Sequence, residues 1–300
     1  MVESQAIQTS PCFCGATEFE IVKRVPANLF RKRRAYTEAR IVRCVRCDLL
    51  RTSPTPVLGE DADFYALESV SEGPLRDPES WRRFARDIMD HLARYCSGGT
   101  LLDIGCNVGV LVDEANRRGF RAVGLDLNPD AVAYGVEHFR ADLRCEPVQN
   151  HEGRASYDAI VMNHTIEHIH DLRDLLQHVR RLLKPDGIFL ALCPNAEGGI
   201  PRLLHLLNQR KSGRGSAWLW YGYLPEEHVW QFGPRSLRRV LDECGMEVLD
   251  VSARQNMEWS ATRNPGLRFL VMDLLWRSFA RLNLGDNLVV WARPNQRAAS

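Results

Sequence analysis

The sequence has no run approaching the roughly 20 consecutive apolar residues that a membrane-spanning helix requires, so a transmembrane protein is excluded. It also lacks a strong charge of one sign, with 39 basic residues against 38 acidic ones for a net charge of +1. An apolar fraction of 45% and a charged fraction of 26% are ordinary for a folded chain and exclude general disorder. The opening stretch MVESQAIQTSPC has no basic segment followed by an apolar one, so no secretion signal is read and a cytoplasmic location is expected. Inside the cell, the nine cysteines read as thiols or metal ligands rather than disulfides.

What the chain does contain is uneven. Residues 1–56 hold ten Lys/Arg against five Asp/Glu, or +5, and the remainder therefore carries −4. Two units with different surfaces are expected: a basic N-terminal module, open either to RNA or to solvent alone, and a larger domain. Within the first unit Cys12-Phe13-Cys14 and Cys44-Val45-Arg46-Cys47 form two close pairs with apolar and β-branched residues between them. No histidine precedes His91, so these four thiols are the only local set of soft ligands. Cys12, Cys14, Cys44 and Cys47 are thus candidate ligands of one structural zinc in a zinc-ribbon-like module, the alternative being reduced structural thiols.

Residues 57–78 are rich in Pro, Gly, Ser and acids and read as a linker. From Glu79 to Cys96, Trp81, Phe84, Ile88, Met89, Leu92 and Tyr95 recur at helical spacing. Thr100 to Ile104 reads as a strand, Gly105 to Gly109 as a turn and Val110 to Arg118 as a helix, which is the start of a doubly wound α/β sheet. A second unit follows, with a strand at Ala122 to Leu125, Asp126 closing it, Asn128 as a helix cap and Pro129 at the first helical position. The turn is not the dinucleotide pattern G-x-G-x-x-G, and an acid precedes it, which suits a cationic cofactor without phosphate.

With Asp103-Ile-Gly105-Cys-Asn-Val-Gly109, the chain resembles the class I S-adenosylmethionine-dependent methyltransferases, whose first motif is Asp/Glu-x-Gly-x-Gly-x-Gly. Asn107 stands where the middle glycine would be, and Asn tolerates left-handed backbone angles better than most residues. The resemblance continues through Tyr157 to Asn163 as the fourth strand, a helix over Asp171 to Lys184, the turn Lys184-Pro185-Asp186-Gly187 and a fifth strand over Ile188 to Cys193. It implies a mostly parallel seven-stranded sheet over residues 79–293, with a lid-like insertion at 196–229, a helical insertion at 254–285 and a tail at 294–300. It further implies a cofactor site made by Asp103, Gly105, Cys106 and Gly109 in the turn, Asp126 on the ribose hydroxyls, Leu127 against adenine, and Asn163. The usual acid after the third strand is missing, leaving Gln149 and Asn150 as its candidates.

Beyond the fourth strand lie His164, Glu167 and His168, and beyond the fifth lies His228, the candidate catalytic residues. The set resembles that of small-RNA 2′-O-methyltransferases and ubiquinone-pathway O-methyltransferases, in which Glu-x-x-Glu-His, with a later His in the former, binds a divalent ion. Here His164 replaces the first Glu. A metal-free histidine base, a catalytic divalent metal and a structural turn all stay open. Trp218, Trp220, Tyr221 and Tyr223 beside flexible glycines suggest a lid over the acceptor, with Arg210, Lys211 and Arg214 facing any anionic group. Residues 266–284 have a broad apolar face suited to core packing, a homodimer interface or peripheral membrane contact. The expected function is methyl transfer, most simply to oxygen of a small or lipid-linked metabolite such as a sugar, polysaccharide precursor or natural product. RNA methylation through the basic ribbon, and a non-catalytic cofactor-binding regulator, are the alternatives.

Overall fold

The structure is a computed structural model, which describes residues 10–25, 39–55, 77–139, 141–199, 203, 228–254, 274 and 277–296. The aromatic lid residues, Arg210, Lys211, Arg214, nearly all of the linker and most of both insertions lie outside the described residues.

Three strands come first: β1 (Phe19–Val25), β2 (Ala39–Cys44) and β3 (Leu50–Ser53). Helix α1 (Pro78–Leu92) follows, its start fixed by Asp77, whose carboxylate accepts from Ser80 N at 3.2 Å, and by proline in the first turn. Its face of Ala85, Ile88, Met89 and Leu92 is buried, as the apolar spacing requires.

The main sheet contains β4 (Gly99–Ile104), β5 (Phe120–Asp126), β6 (Asp142–Cys145), β7 (Tyr157–Asn163), β8 (Leu183–Pro194), β10 (Met246–Arg254) and β11 (Asn287–Pro294). Their spatial order is β10-β11-β8-β7-β4-β5-β6. Pairs from β8 to β6 are parallel, while β11 runs antiparallel to both β8 and β10. The doubly wound, mostly parallel seven-stranded architecture expected from the sequence is therefore present. Between the strands run α2 (Val110–Arg117), α3 (Pro129–Phe139), α4 (Leu172–Leu182) and α5 (Pro234–Glu243). Asn128 caps α3 by accepting from Asp130 N and Ala131 N at 3.0 and 3.1 Å. On α4, Leu172, Leu175, Leu176, Val179 and Leu182 are buried, each such side chain contributing about 1.5–3 kcal/mol of transfer free energy.

One boundary differs from expectation. The turn read at Lys184-Pro185-Asp186-Gly187 lies within β8, because Leu183 already pairs with Tyr157 and the extra residues are absorbed as a register shift before Ala159↔Ile188. Lys184 Nζ fastens the bulge to Asp158 Oδ2 at 2.8 Å.

The N-terminal strands form a second sheet in the order β1-β2-β3-β9, where β9 is Trp230–Gln231, almost 180 residues further along the chain. The two sheets share one apolar cluster. Cys12, Phe13, Cys44, Cys47 and Leu49 pack into the same core as Ile166, Leu172, Trp230, Phe232 and Leu237. Arg173 on α4 reinforces the junction by lying 4.1 Å over the Phe13 ring and donating to Phe13 O at 3.0 Å.

Candidate functional site

At the carboxyl end of β4 the chain must reverse within a few residues to enter α2. Gly105, Asn107 and Gly109 all adopt left-handed angles, with φ of 80°, 50° and 78°. A side chain at Gly105 would in addition overlap Thr165 Oγ1, so only glycine satisfies both constraints there. Asn107 takes the middle position as an asparagine can, its side-chain oxygen accepting from Val108 N at 2.7 Å. Its own backbone N–H donates to Asp126 Oδ2 at 2.7 Å, and Asn128 N donates to Asp126 Oδ1 at 2.9 Å.

Asp103 is 3% exposed. Burial first, and the charge of Asp126 second, push its carboxyl up to about 7. Asp126 is likewise raised by burial, against the backbone N–H groups of Asn128, Asn107 and Leu127. Two acids poised in this way favour a cation between or beside them. Cys106 is buried in the turn, and Leu127, immediately after Asp126, leaves its side chain 63% exposed. Gln149 and Asn150 lie exposed on a short 3-10 turn after β6.

One strand away, β7 ends at Asn163, whose Oδ1 is buried without a hydrogen-bond partner among the described residues. His164 follows with a left-handed φ of 51°, which turns the chain sharply into the single 3-10 turn Ile166–His168. This places three imidazoles around one carboxylate. Glu167 Oε1 lies 3.4 Å from His164 Nδ1, 3.9 Å from His168 Nε2 and 3.9 Å from His228 Nε2. Glu167 and His228 are buried, at 1% and 3% exposure, while the His168 side chain is 22% exposed and therefore reachable. Both Glu167 carboxylate oxygens and His228 Nδ1 are buried and without a hydrogen-bond partner among the described residues.

Burial alone would raise the Glu167 carboxyl, but the neighbouring imidazoles, His164 first and then His168, hold it down to about 2. Burial, and then His168, push His228 down to about 3, so its imidazole is neutral. Asn287 was not singled out by the sequence, yet its Nδ2 comes 3.4 Å from His164 Nε2 at the start of β11. No local pattern marks it, because only the antiparallel return of the last strand brings it there.

The four N-terminal cysteines also converge. Cys12 Sγ lies 3.5 Å from Cys47 Sγ and Cys14 Sγ lies 3.6 Å from Cys44 Sγ, with all four sulfurs within 4.8 Å of one another. A disulfide would bring sulfurs to about 2.05 Å, so these are thiols. Tetrahedral zinc with bonds of about 2.3 Å places its sulfurs about 3.8 Å apart, which this cluster matches. Burial raises Cys12 to about 12 and raises Cys47 also. Cys44 is lowered despite its burial, because the N–H groups of Cys47 and Arg46 face it.

A mostly parallel sheet with an acid-flanked glycine turn and a ring of polar side chains at its carboxyl edge has its candidate site where open α/β sheets bind their ligands. Residues 79–251, more than half of the chain, match a family described as a methyltransferase domain. The ubiquinone biosynthesis O-methyltransferase of Rhodopseudomonas palustris (strain BisB5) is 32% identical over 142 residues, covering 46% of this chain and 55% of that protein. The same enzyme of Bradyrhizobium diazoefficiens (strain JCM 10833 / BCRC 13528 / IAM 13628 / NBRC 14792 / USDA 110) is 28% identical over 138 residues, covering 44% of this chain and 53% of that protein. The chain thus spans about half the length of these curated relatives. Among solved structures, a chain of the complex between the Haloferax volcanii Trm112 methyltransferase activator and its methyltransferase aligns with a TM-score of 0.55 at 16% identity, covering 79% of this chain and 99% of that one. Burkholderia thailandensis 1,6-didemethyltoxoflavin-N1-methyltransferase aligns at 0.50 with 18% identity, covering 85% and 96%. The chain belongs to the class I S-adenosylmethionine-dependent methyltransferase family.

Proposed function

We propose that the protein transfers the methyl group of S-adenosylmethionine to a hydroxyl oxygen of a small metabolite, free or lipid-linked. The observation that carries this reading is the Glu167 cluster. A buried carboxylate ringed by His164, His168 and His228 stands at the carboxyl edge of the sheet, one strand from the acid-flanked turn. The sequence likeness to enzymes named as O-methyltransferases supports oxygen as the acceptor atom.

In this reading Asp103, Gly105, Cys106 and Gly109 line the methionine side of the cofactor, Asp126 accepts from the ribose diol, Leu127 covers adenine, and Asn163 faces the reacting centre. Methyl transfer is an in-line displacement in which the acceptor oxygen forms the new C–O bond as the C–S bond breaks, leaving neutral S-adenosylhomocysteine. His168, the reachable imidazole, takes the hydroxyl proton, and the Glu167 carboxylate stabilises the imidazolium that results.

A second reading is favoured by the unpartnered atoms. Glu167, His168 and His228 each offer one donor within a 4.8 Å set, and both Glu167 oxygens lack hydrogen bonds among the described residues. An ionised carboxylate and a neutral imidazole are the forms a metal takes, so these residues fit a divalent ion. Such an ion, when bound, supplies Lewis-acid activation of the acceptor hydroxyl. Cys12, Cys14, Cys44 and Cys47 would hold a structural zinc, which leaves no open position for chemistry.

The test uses labelled S-adenosylmethionine with simple catechols and a bacterial small-molecule extract as acceptors. His168→Ala should lower turnover by roughly 100-fold or more with cofactor affinity nearly intact. Chelator-insensitive activity supports His168 acting alone, and chelator-sensitive activity restored by Mg²⁺ or Mn²⁺ supports the ion. Full activity in both His168→Ala and His228→Ala would sink the assignment of the site.

A further inference from the structure

We propose that Thr52 of the N-terminal sheet is a positioning residue for His228, an inference that rests on reading the Glu167 cluster as the methyl-transfer site. A single peptide group joins the two. Its carbonyl, on His228, accepts from Thr52 Oγ1 at 2.7 Å. Its N–H, on Val229, donates to Glu167 O at 2.9 Å. A peptide plane is rigid, so fixing it at both edges fixes the position of the His228 Cα, the point from which the ring hangs.

Neighbouring bonds leave little freedom for the plane to turn. Thr52 N donates to Val229 O at 3.0 Å, and Gln231 Nε2 donates to both Thr52 Oγ1 and His228 O at 3.2 and 3.3 Å. Arg51, paired with Trp230 across the strands, lies 5.2 Å over its ring, and the Trp230 indole N–H donates to Ile169 O at 2.7 Å, just past the Glu167 turn. Thr52 is 0% exposed and its hydroxyl bonds the His228 carbonyl rather than the ring, so its effect runs through the His228 backbone. The His228 ring then meets His168 edge-on, with centroids 4.9 Å apart and planes at 77°, and points Nε2 at Glu167 Oε1. The N-terminal sheet thereby anchors the backbone of one member of the Glu167 cluster.

The hydroxyl is the element to test, since valine fills the same space and serine keeps the donor. Full-length, zinc-loaded protein with labelled histidine is compared as unmodified chain, Thr52→Val, Thr52→Ser and His228→Ala, the last assigning the His228 ring resonances by their loss. Thr52→Val should shift those resonances, leave His151 and His178 in place, and lower catechol methylation at saturating cofactor by roughly 10-fold or more, since a misplacement of about 1 Å can cost up to about 100-fold. Cofactor affinity should stay within about twofold, and Thr52→Ser should restore both readouts. A purely structural threonine would lower the melting temperature without moving the His228 ring, and that result overturns the proposal. If His228→Ala keeps full turnover, the reading of the site fails instead. The resonances then decide positioning alone: a shift in Thr52→Val that serine reverses sustains it, and an unmoved ring overturns it.

Discussion

The backbone N–H of Asn107 donates to Asp126 Oδ2 at 2.7 Å, tying the tip of the glycine turn to the end of the neighbouring strand. The bond explains how asparagine serves where a glycine is usual: the left-handed backbone it tolerates is what aims that N–H at the acid. Asp126 thus holds the turn, and in the proposed function it also accepts from the ribose diol.

The first prediction concerns that acceptor role. Asp126→Ala should weaken S-adenosylmethionine binding by at least about 1 kcal/mol, roughly fivefold, through loss of a charge-assisted hydrogen bond. Calorimetry measures it, and an unchanged affinity in a folded variant would refute the ribose assignment.

Asp103 predicts a pH dependence. Its folded pKa, about 7, lies above the usual carboxyl value of 3.8, so the protonated form is the one folding favours. The stability it contributes to the cofactor-free protein is full at pH below about 4 and is lost as pH rises through about 7. A cationic cofactor favours the ionised form, so its affinity should rise over that same upper range and level off beyond it. Titrations from pH 5.5 to 8.5 on the unmodified chain and Asp103→Asn should show a slope only in the former, and equal slopes would remove the claim.

Gly105→Ala should cost more than the roughly 1–2 kcal/mol of a left-handed non-glycine residue, because Thr165 Oγ1 occupies the space as well. Denaturant unfolding should show the loss together with failure to bind cofactor. A variant as stable as its parent would show that the turn can relax.

Elemental analysis should find about one zinc per chain, lost in Cys44→Ser or Cys47→Ser. Because the cysteines share an apolar cluster with Trp230, Phe232 and Leu237, removing the metal should lower the melting temperature of the whole protein in one transition. Calorimetry showing an independent early transition, with the rest unmoved, would count against that coupling.

The parallel half of the fold was legible because each strand is a short apolar run followed by punctuation that chemistry demands: Gly105 and Gly109 after β4, Asp126 and Pro129 after β5. His164, Glu167, His168 and His228 could be named from their places after strands, and the structure brings all four together. The partners that hold them could not. Trp230–Gln231 is too short a strand to carry a period, Thr52 lies in the four-residue strand Leu50–Ser53 with too few residues to show one, and Asn287 meets His164 only through the sheet's last, antiparallel strand. What sequence periodicity reports is which face an element buries, and these contacts depend on which distant elements lie edge to edge.

The pairing of β3 with β9 has a consequence for the order of events during synthesis. Residues 10–55 leave the ribosome before the strand that completes their sheet, the Arg173 cation over Phe13 and the apolar partners on α5. Such long-range closure is slow, and until it happens the cysteine-bearing hairpins stand with an open edge and half a core. Early metal capture by the four thiols would bridge that interval, holding the first strands in register until the final third of the chain arrives to cover them.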